Sequence, residues 1–423
     1  MSIQIHLEKL SEEQREKVNK DLRIRMNMRG FSKYLFAFDL TDDDTVILPF
    51  AYARNEIGRR RPPSKKFAKM DITFAGQLYV EQQEIYDEAI TQLQHTGSEL
   101  ISAYPGMGKT LLSIYIACAI RLRTLIIVNT VVLMKQWEES IHRFAPDARV
   151  LQVTSKTEKE EADFYIMNAQ NVEKKGFNFF SDIGMVIVDE VHLIMAATLC
   201  RSLQFLQPRY LLGLSATPYR EDELDILLLH YFGPHSIIRE LYHPHTVYRV
   251  DTGFTPTMEI ENGKLKWDTV LASQAENENR NELILRIIQH YHDRTFLVIM
   301  KRKTQGKYLL KRLQDMGANV DYLWENKQEF NRSCRILIGM TQKCGTGFDY
   351  PALDALLLAT DVERYFLQVL ARVMRRREVN PIIFDLMDKN GVLEKHYATR
   401  KEAYRKAGGR IKRLNVCDIP ELN

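Results

Sequence analysis

Hydrophobic and polar positions change rhythm twice along the chain. In residues 1–70, Ser11-Glu12-Glu13-Gln14 is a capping-box pattern, and it predicts a charged helix running toward Met28. An acidic turn, Asp42-Asp43-Asp44, precedes the apolar stretch Thr45–Phe50. Gly58–Lys66 then sets cations on both sides of Pro62-Pro63. The prolines block helix continuation, so the segment reads as an extended basic linker. From about residue 72, short apolar runs alternate with longer amphipathic segments. The runs near 99–104, 124–129, 164–168, 184–189 and 211–215 have the length and continuity of buried parallel strands. Residues 245–280 interrupt this with turn and β signals and read as a linker. The alternation restarts at Phe296–Met300, Val320–Leu323, Ile336–Gly339, Ala355–Ala359 and Ile382–Leu386. The pattern predicts an α/β chain of two tandem doubly wound parallel-sheet domains, behind a small N-terminal α+β region. The expected boundaries are 1–70 for that region, 71–243 and 244–405 for the two domains, and 406–423 for a basic tail.

Composition narrows the class. The 423 residues are 45% hydrophobic and 27% charged, which suits a globular chain and excludes a disordered one. No apolar run reaches the ~18 residues of a membrane helix, and the first residues carry no secretory signal. Five scattered cysteines (Cys118, Cys200, Cys334, Cys344, Cys417) fit neither a disulfide framework nor a zinc cluster and point to a reducing compartment. A soluble intracellular protein with no membrane partner is expected. The formal charge of +4 conceals a partition. Residues 1–70 hold 15 basic and 10 acidic side chains, and residues 364–413 hold 14 and 5, so the remainder carries −10. Basic regions attract polyanions, and they also form plain solvated surface.

Three strand ends carry candidate chemistry. Glu99–Thr110 joins an apolar strand to Ala103-x4-Gly108-Lys109-Thr110 and then to a helical segment. This is the P-loop pattern with Ala in place of the first Gly. Pro105, Gly106, Met107 and Gly108 form the loop, whose glycines let backbone N–H groups curl around phosphate oxygens at a helix N-terminus. Lys109 suits the β- and γ-phosphates, and the Thr110 hydroxyl suits Mg²⁺. The strand Met185–Val188 ends in Asp189-Glu190, followed by His192. Asp189 can hold the Mg²⁺ shell, and Glu190 can orient the attacking water. At the third strand end, Ser215 and Thr217 offer small hydroxyls that could bond the Asp189–His192 segment. In the second domain come Gly345–Asp349 and then Gln368–Arg377. Arg372 and Arg375, three apart, are expected on one helix face, where two guanidinium forks suit charge growing on a γ-phosphate. For Arg376 and Arg377, a solvated face and a nucleic-acid-backbone contact both stay open.

Taken in order, Gln82, Ala103–Thr110, Asp189–His192, Ser215–Thr217, Gly345–Asp349 and Gln368–Arg375 resemble the motif series of superfamily 2 helicases, over about residues 72–405. Asp-Glu-Val-His resembles the DExH branch, and Tyr219-Arg220-Glu221-Asp222 the XPB-type DNA helicases. Arg280-Asn281, with Gly345–Asp354, is similar to the poxvirus-type transcript-release helicases of large DNA viruses and to phage UvsW-like helicases. The resemblance implies two RecA-like domains, ATP and Mg²⁺ as cofactors, and a nucleic-acid partner, DNA favoured over RNA. It implies that Gln82 reads adenine and that Gly347 and Asp349 line the nucleotide cleft. Asp189, Glu190, Gln368, Arg372 and Arg375 would form the catalytic set. Thr130, Gln170, Arg220 and Thr341 would contact nucleic-acid backbone, and His192, Ser215 and Thr217 would couple the two sites. Asn129 stands where the family carries Pro, and Ala371 where it carries Gly. An ATP-dependent helicase or translocase is therefore expected, a monomer, in viral transcription termination or in DNA repair and recombination. Rival readings are a DExH-type RNA helicase and an ATP-gated module that docks a polymerase or transcription complex. Arg59–Lys66 stays open as a localisation signal, a duplex contact or a solvated linker.

Overall fold

The structure is a computed structural model that describes residues 1–28, 31–41, 43–194, 203–216, 225–261, 264–325, 327, 329–345, 350–363, 365–376 and 378–421. The chain divides into two compact units, Met1–Ala103 with Met107–Arg239, and Glu240–Asn423 with the short segment Tyr104–Gly106.

The first unit begins with β1 (Ser2–His6), β2 (Arg23–Met28), β3 (Phe31–Phe36), β4 (Asp39–Leu40) and β5 (Thr45–Pro49). β1 and β4 flank β5 in an antiparallel sheet, and β2 pairs with β3. The capping box is present: Ser11 accepts from the Gln14 backbone, and Gln14 returns the bond. The helix it starts ends at Asp21, short of Met28. Beyond it Arg23, Ile24 and Arg25 alternate exposed, buried, exposed, which is the period of a strand and not of a helix.

The expected separate N-terminal region is instead part of the first unit. Its Ile5, Leu22, Leu48 and Phe50 belong to the same buried cluster as Leu100, Leu125, Val186 and Leu211 of the main sheet. The basic linker is partly a packed strap. Arg61 donates to the carbonyls of Leu93 at 3.0 Å and Gln94 at 2.8 Å, in the last turn of helix Val80–Thr96, where a cation offsets the helix dipole.

The main sheet of this unit holds β6 (Ser98–Ala103), β7 (Thr124–Val128), β8 (Val150–Val153), β9 (Phe164–Asn168), β10 (Met185–Val188), β11 (Tyr210–Ser215) and β12 (Ile237–Arg239). Their order is β12-β6-β11-β10-β7-β9-β8, and every pairing is parallel. Five of the strands coincide with the apolar runs. β8 is only half-buried and β12 is three residues long, so neither makes an apolar run.

The second unit holds β13 (His245–Asp251), the hairpin of β14 (Ile260–Glu261) and β15 (Lys264–Leu265), β16 (Phe296–Met300), β17 (Val320–Leu323), β18 (Ile336–Met340), β19 (Ala355–Leu358), β20 (Ile382–Met387) and β21 (Gly409–Leu414). Its main sheet is again parallel, in the order β17-β18-β16-β19-β20-β13-β21. Two expectations are corrected here. The presumed linker 245–280 supplies β13, an inner strand, and helix Trp267–Glu276. The presumed tail 406–423 supplies β21, an edge strand that exposes Arg410, Lys412 and Arg413. Cations on an edge discourage pairing with another chain. Among the described residues, no helix is long and apolar enough to cross a membrane.

Candidate functional site

Parallel strands bring their carboxyl ends to one edge of a sheet, and ligands of open α/β sheets bind there. In the first unit β11 lies between β6 and β10. The loop after Ala103, Ser215 at the end of β11 and Asp189-Glu190 after Val188 are therefore neighbours along one edge.

Gly106 and Gly108 take φ of +92° and +93°, a left-handed conformation that side chains disfavour. Gly108 opens helix Lys109–Ile120, which has no side-chain cap and no acidic residue in its first turn. Such an N-terminus favours an anion. A Cβ on Gly108 would approach Gln82 Nε2 to 2.5 Å, so the loop needs Gly there. Gln82 is buried. Its Oε1 accepts from the Tyr79 N–H at 3.0 Å, and its Nε2 donates to the Met107 carbonyl at 2.9 Å. Gln82 thus braces the glycine loop. Lys109 Nζ donates to the Ala103 carbonyl at 2.7 Å, folding back over its own loop, and Thr110 is half-buried in the first helical turn.

Asp189 is buried. Its Oδ1 accepts from the Glu190 N–H at 2.9 Å, and its Oδ2 accepts from the Trp137 indole N–H at 2.8 Å. Burial, and then the adjacent Glu190 charge, push its carboxyl up, while Trp137 and Lys109 oppose the shift. Glu190 has φ +46°, a strained conformation for a residue with a side chain. His192 Nδ1 lies 2.9 Å from Ser215 Oγ and 3.5 Å from Glu190 Oε2, so one imidazole touches both strand ends.

Thr130 is exposed and caps helix Val131–Phe144 by accepting from the Leu133 N–H at 3.3 Å. Gln170 is exposed on the turn after β9. Val128 of β7 pairs in register with Asn168 of β9, so Thr130 and Gln170 leave the sheet side by side. In the second unit, Thr341 opens a short helix after β18 but is only 6% exposed, which corrects the expectation of a surface contact. Gln368 is half-buried on helix Phe366–Arg372, and Arg372 Nε donates to the Cys344 carbonyl at 3.2 Å. The helix closes at Arg372 because the Val373 N–H turns back to the Leu370 and Ala371 carbonyls. Arg375 lies beyond that closure, so the two arginines do not share a helix face as expected. Arg376 pairs with Asp354 at 3.2 Å. Thr217, Arg220, Gly347 and Asp349 lie outside the described residues.

These residues fit a Mg²⁺-bound nucleoside triphosphate. The helix N-terminus is uncapped, the glycine loop is left-handed, and an acid and a hydroxyl (Asp189, Thr110) supply hard oxygen donors. Trp137 falls in the stretch Asn129–Trp137 that resembles the family's first backbone-contacting motif, but that resemblance does not announce its bond to Asp189. The only local signal for it is an aromatic at a buried position of an amphipathic helix, which ordinary packing also explains.

The family described as the res subunit of type III restriction enzymes matches residues 76–220. Protein 161L of Invertebrate iridescent virus 6, which carries the name of a helicase, is 42% identical over 402 residues, covering 88% of this chain and 91% of its own. Protein 055L of Frog virus 3, also named as a helicase, is 32% identical over 90% of this chain and 89% of its own. The structure of yeast (S. cerevisiae) Dbp5 bound to RNA and ADP BeF3 shares the fold, with a TM-score of 0.57 at 12% identity, over 79% of this chain and 90% of that one. The chain is an ATP-hydrolysing enzyme and belongs to the superfamily 2 helicases, in a group with helicases of large DNA viruses.

Proposed function

We propose that this helicase is a DNA-directed translocase that uses ATP to strip or remodel a bound strand, with release of transcripts as its task in a viral cycle. The observation that carries the nucleotide part is the convergence of Lys109, Asp189-Glu190 and Ser215 on three neighbouring strand ends, beside a helix N-terminus without a cap. Mg²⁺-bound ATP supplies the reacting phosphoanhydride and a cation that offsets its charge. Lys109 and the loop N–H groups hold the phosphates, Asp189 and Thr110 hold the cation shell, and Glu190 orients water and accepts its proton. Gln82, with Pro105, Gly106, Met107 and Gly108, shapes the loop. Gly347, Asp349, Gln368, Arg372 and Arg375 are assigned to the same nucleotide from the second unit, with the arginines offsetting charge that grows during transfer. Ser215, Thr217 and His192 link this site to strand contacts at Thr130, Gln170 and Arg220. The Arg220-Glu221-Asp222 triplet supports DNA as the strand.

The test is ATPase stimulation by single-stranded, duplex and forked DNA and by RNA, at two salt concentrations. DNA should stimulate, and the effect should fall steeply with salt because the contacts are to phosphates. Stimulation by RNA alone overturns the DNA assignment. Assays on stalled transcription complexes and replication junctions separate transcript release from DNA remodelling. Lys109→Ala should abolish turnover, and wild-type turnover in that variant overturns the nucleotide site.

A further inference from the structure

Trp137 sits 1% exposed on helix Val131–Phe144, whose buried face is Met134, Trp137 and Ile141. Packing alone would be served by any large apolar side chain. The indole differs by one N–H, and that N–H is spent on Asp189 Oδ2. Indole nitrogen is a donor only, so it can fix a carboxylate oxygen without competing for a cation. Asp189 Oδ1 is meanwhile held by the Glu190 N–H. The carboxylate plane is thus set by one bond from its own strand end and one from a different element. That element starts at Thr130, the exposed cap of the same helix, seven residues or about 10 Å along the axis from Trp137. A helix moves as a stiff body, so a force on its exposed N-terminus is delivered to the indole and from there to Asp189.

We infer that Trp137 is a positioning residue that aims the Asp189 carboxylate, and that helix Val131–Phe144 carries strand contact at Thr130 to that carboxylate. The inference rests on the proposed nucleotide site and adds to it a route by which nucleic acid stimulates hydrolysis. Groups that orient a metal ligand affect metal affinity by about 10–100-fold when removed. Trp137→Phe keeps an aromatic ring in the core and deletes only the donor.

In Trp137→Phe, Mn²⁺ binding in the presence of ADP, followed by the resonance signal of free Mn²⁺, should weaken about tenfold. ADP binding without metal should match the wild type, and stimulation of ATPase by nucleic acid should fall toward none. A Mn²⁺ titration and a stimulation ratio equal to the wild type overturn the inference. A second measurement covers a variant that folds poorly. Full-length protein labelled with 5-fluorotryptophan gives separate fluorine signals for Trp137, Trp267 and Trp324, assigned by elimination with Trp267→Phe and Trp324→Phe. Addition of Mn²⁺ and ADP should broaden the Trp137 signal, and a metal-free oligonucleotide should shift it. A Trp137 signal indifferent to both overturns the inference. Wild-type turnover in Lys109→Ala would break the nucleotide site itself. A Lys109-dependent ATPase that ignores Trp137 breaks only this link.

Discussion

A carboxylate sealed from water holds its proton more tightly, and Asp189 shows the consequence. Its carboxyl is pushed up from 3.8 to about 6, first by burial and then by Glu190. The folded chain therefore keeps a proton that the unfolded chain has already released. In the ligand-free protein this contributes stability fully below about pH 4, and the contribution is lost as pH rises through about 6. Asp189→Asn removes the titration. The wild type should lose on the order of 2–3 kcal/mol of stability through this group between pH 4 and pH 7.5, and the variant should show none of that loss, as read by calorimetry across that range. The same substitution should eliminate metal-dependent hydrolysis. At this scale the candidate residues were legible where chemistry follows spacing: a loop of fixed length before Lys109, two acids at a strand end. Trp137 was not legible as a partner, because its contact lies 52 residues away in sequence and leaves no local pattern.

Among elements, a strand was legible when both of its faces are apolar. β16 reads Phe-Leu-Val-Ile-Met and is wholly buried. β13 reads His-Thr-Val-Tyr-Arg-Val-Asp and β21 reads Gly-Arg-Ile-Lys-Arg-Leu. Each keeps polar or charged side chains half-exposed or exposed, so each was taken for linker or tail. Helix Glu278–His290 gives the opposite lesson. Arg280-Asn281 supported a family resemblance, yet the structure uses both residues to join elements. Arg280 and Asp388 are both fully buried, with Arg280 Nε 3.1 and 3.0 Å from the two carboxylate oxygens. Arg280 Nη1 donates to the Ala359 carbonyl at 2.6 Å, and Asn281 donates to the Ala275 carbonyl at 2.8 Å. The helix is thereby tied to the residues that follow β19 and β20. Removing one partner of such a pair strands the other charge in the core. Arg280→Ala should cost about 3–5 kcal/mol in urea unfolding, whereas Arg280→Met with Asp388→Leu should recover part of the loss, the rest being held back because Asp388 also accepts from Thr252 Oγ1 at 2.5 Å and Gln274 Nε2 at 2.6 Å. If the double variant is no more stable than Arg280→Ala, charge burial is not what makes the pair matter.

For the whole chain, the charge partition and the domain plan change together. The basic surplus of residues 364–413 is partly internal: Arg400 is buried between Asp385 at 2.9 Å and Asp361 at 2.7 Å, and Arg376 pairs with Asp354. In residues 1–70, Arg61 caps a helix, while Lys9, Arg59 and Arg60 line a groove of about 620 Å³ with His6 and Asp43. Composition marked that region as different, but the difference is of charge and not of folding unit. The Ser2 N–H donates to the Leu206 carbonyl at 2.7 Å, and Ser2 Oγ to the Gln204 carbonyl at 2.5 Å. Helix Phe50–Asn55 covers helix Asp225–Phe232, with the Tyr52 ring edge-on to His230 at 5.2 Å. Beneath that layer Phe232 packs so closely on β11 that a Cβ at Gly213 would meet it at 2.7 Å. Deleting residues 1–58 would uncover this stack along with Ile5, Leu22, Leu48 and Phe50. Burial of a single large apolar side chain is worth about 1.5–3 kcal/mol, and a whole domain is stable by only about 5–15 kcal/mol. The shortened chain should therefore lose the cooperative calorimetric transition of its first unit and all ATPase, while the transition of residues 240–423 persists. A soluble deletion protein with a wild-type first transition and wild-type turnover would show that the shared core is dispensable and that residues 1–58 are an appendage after all.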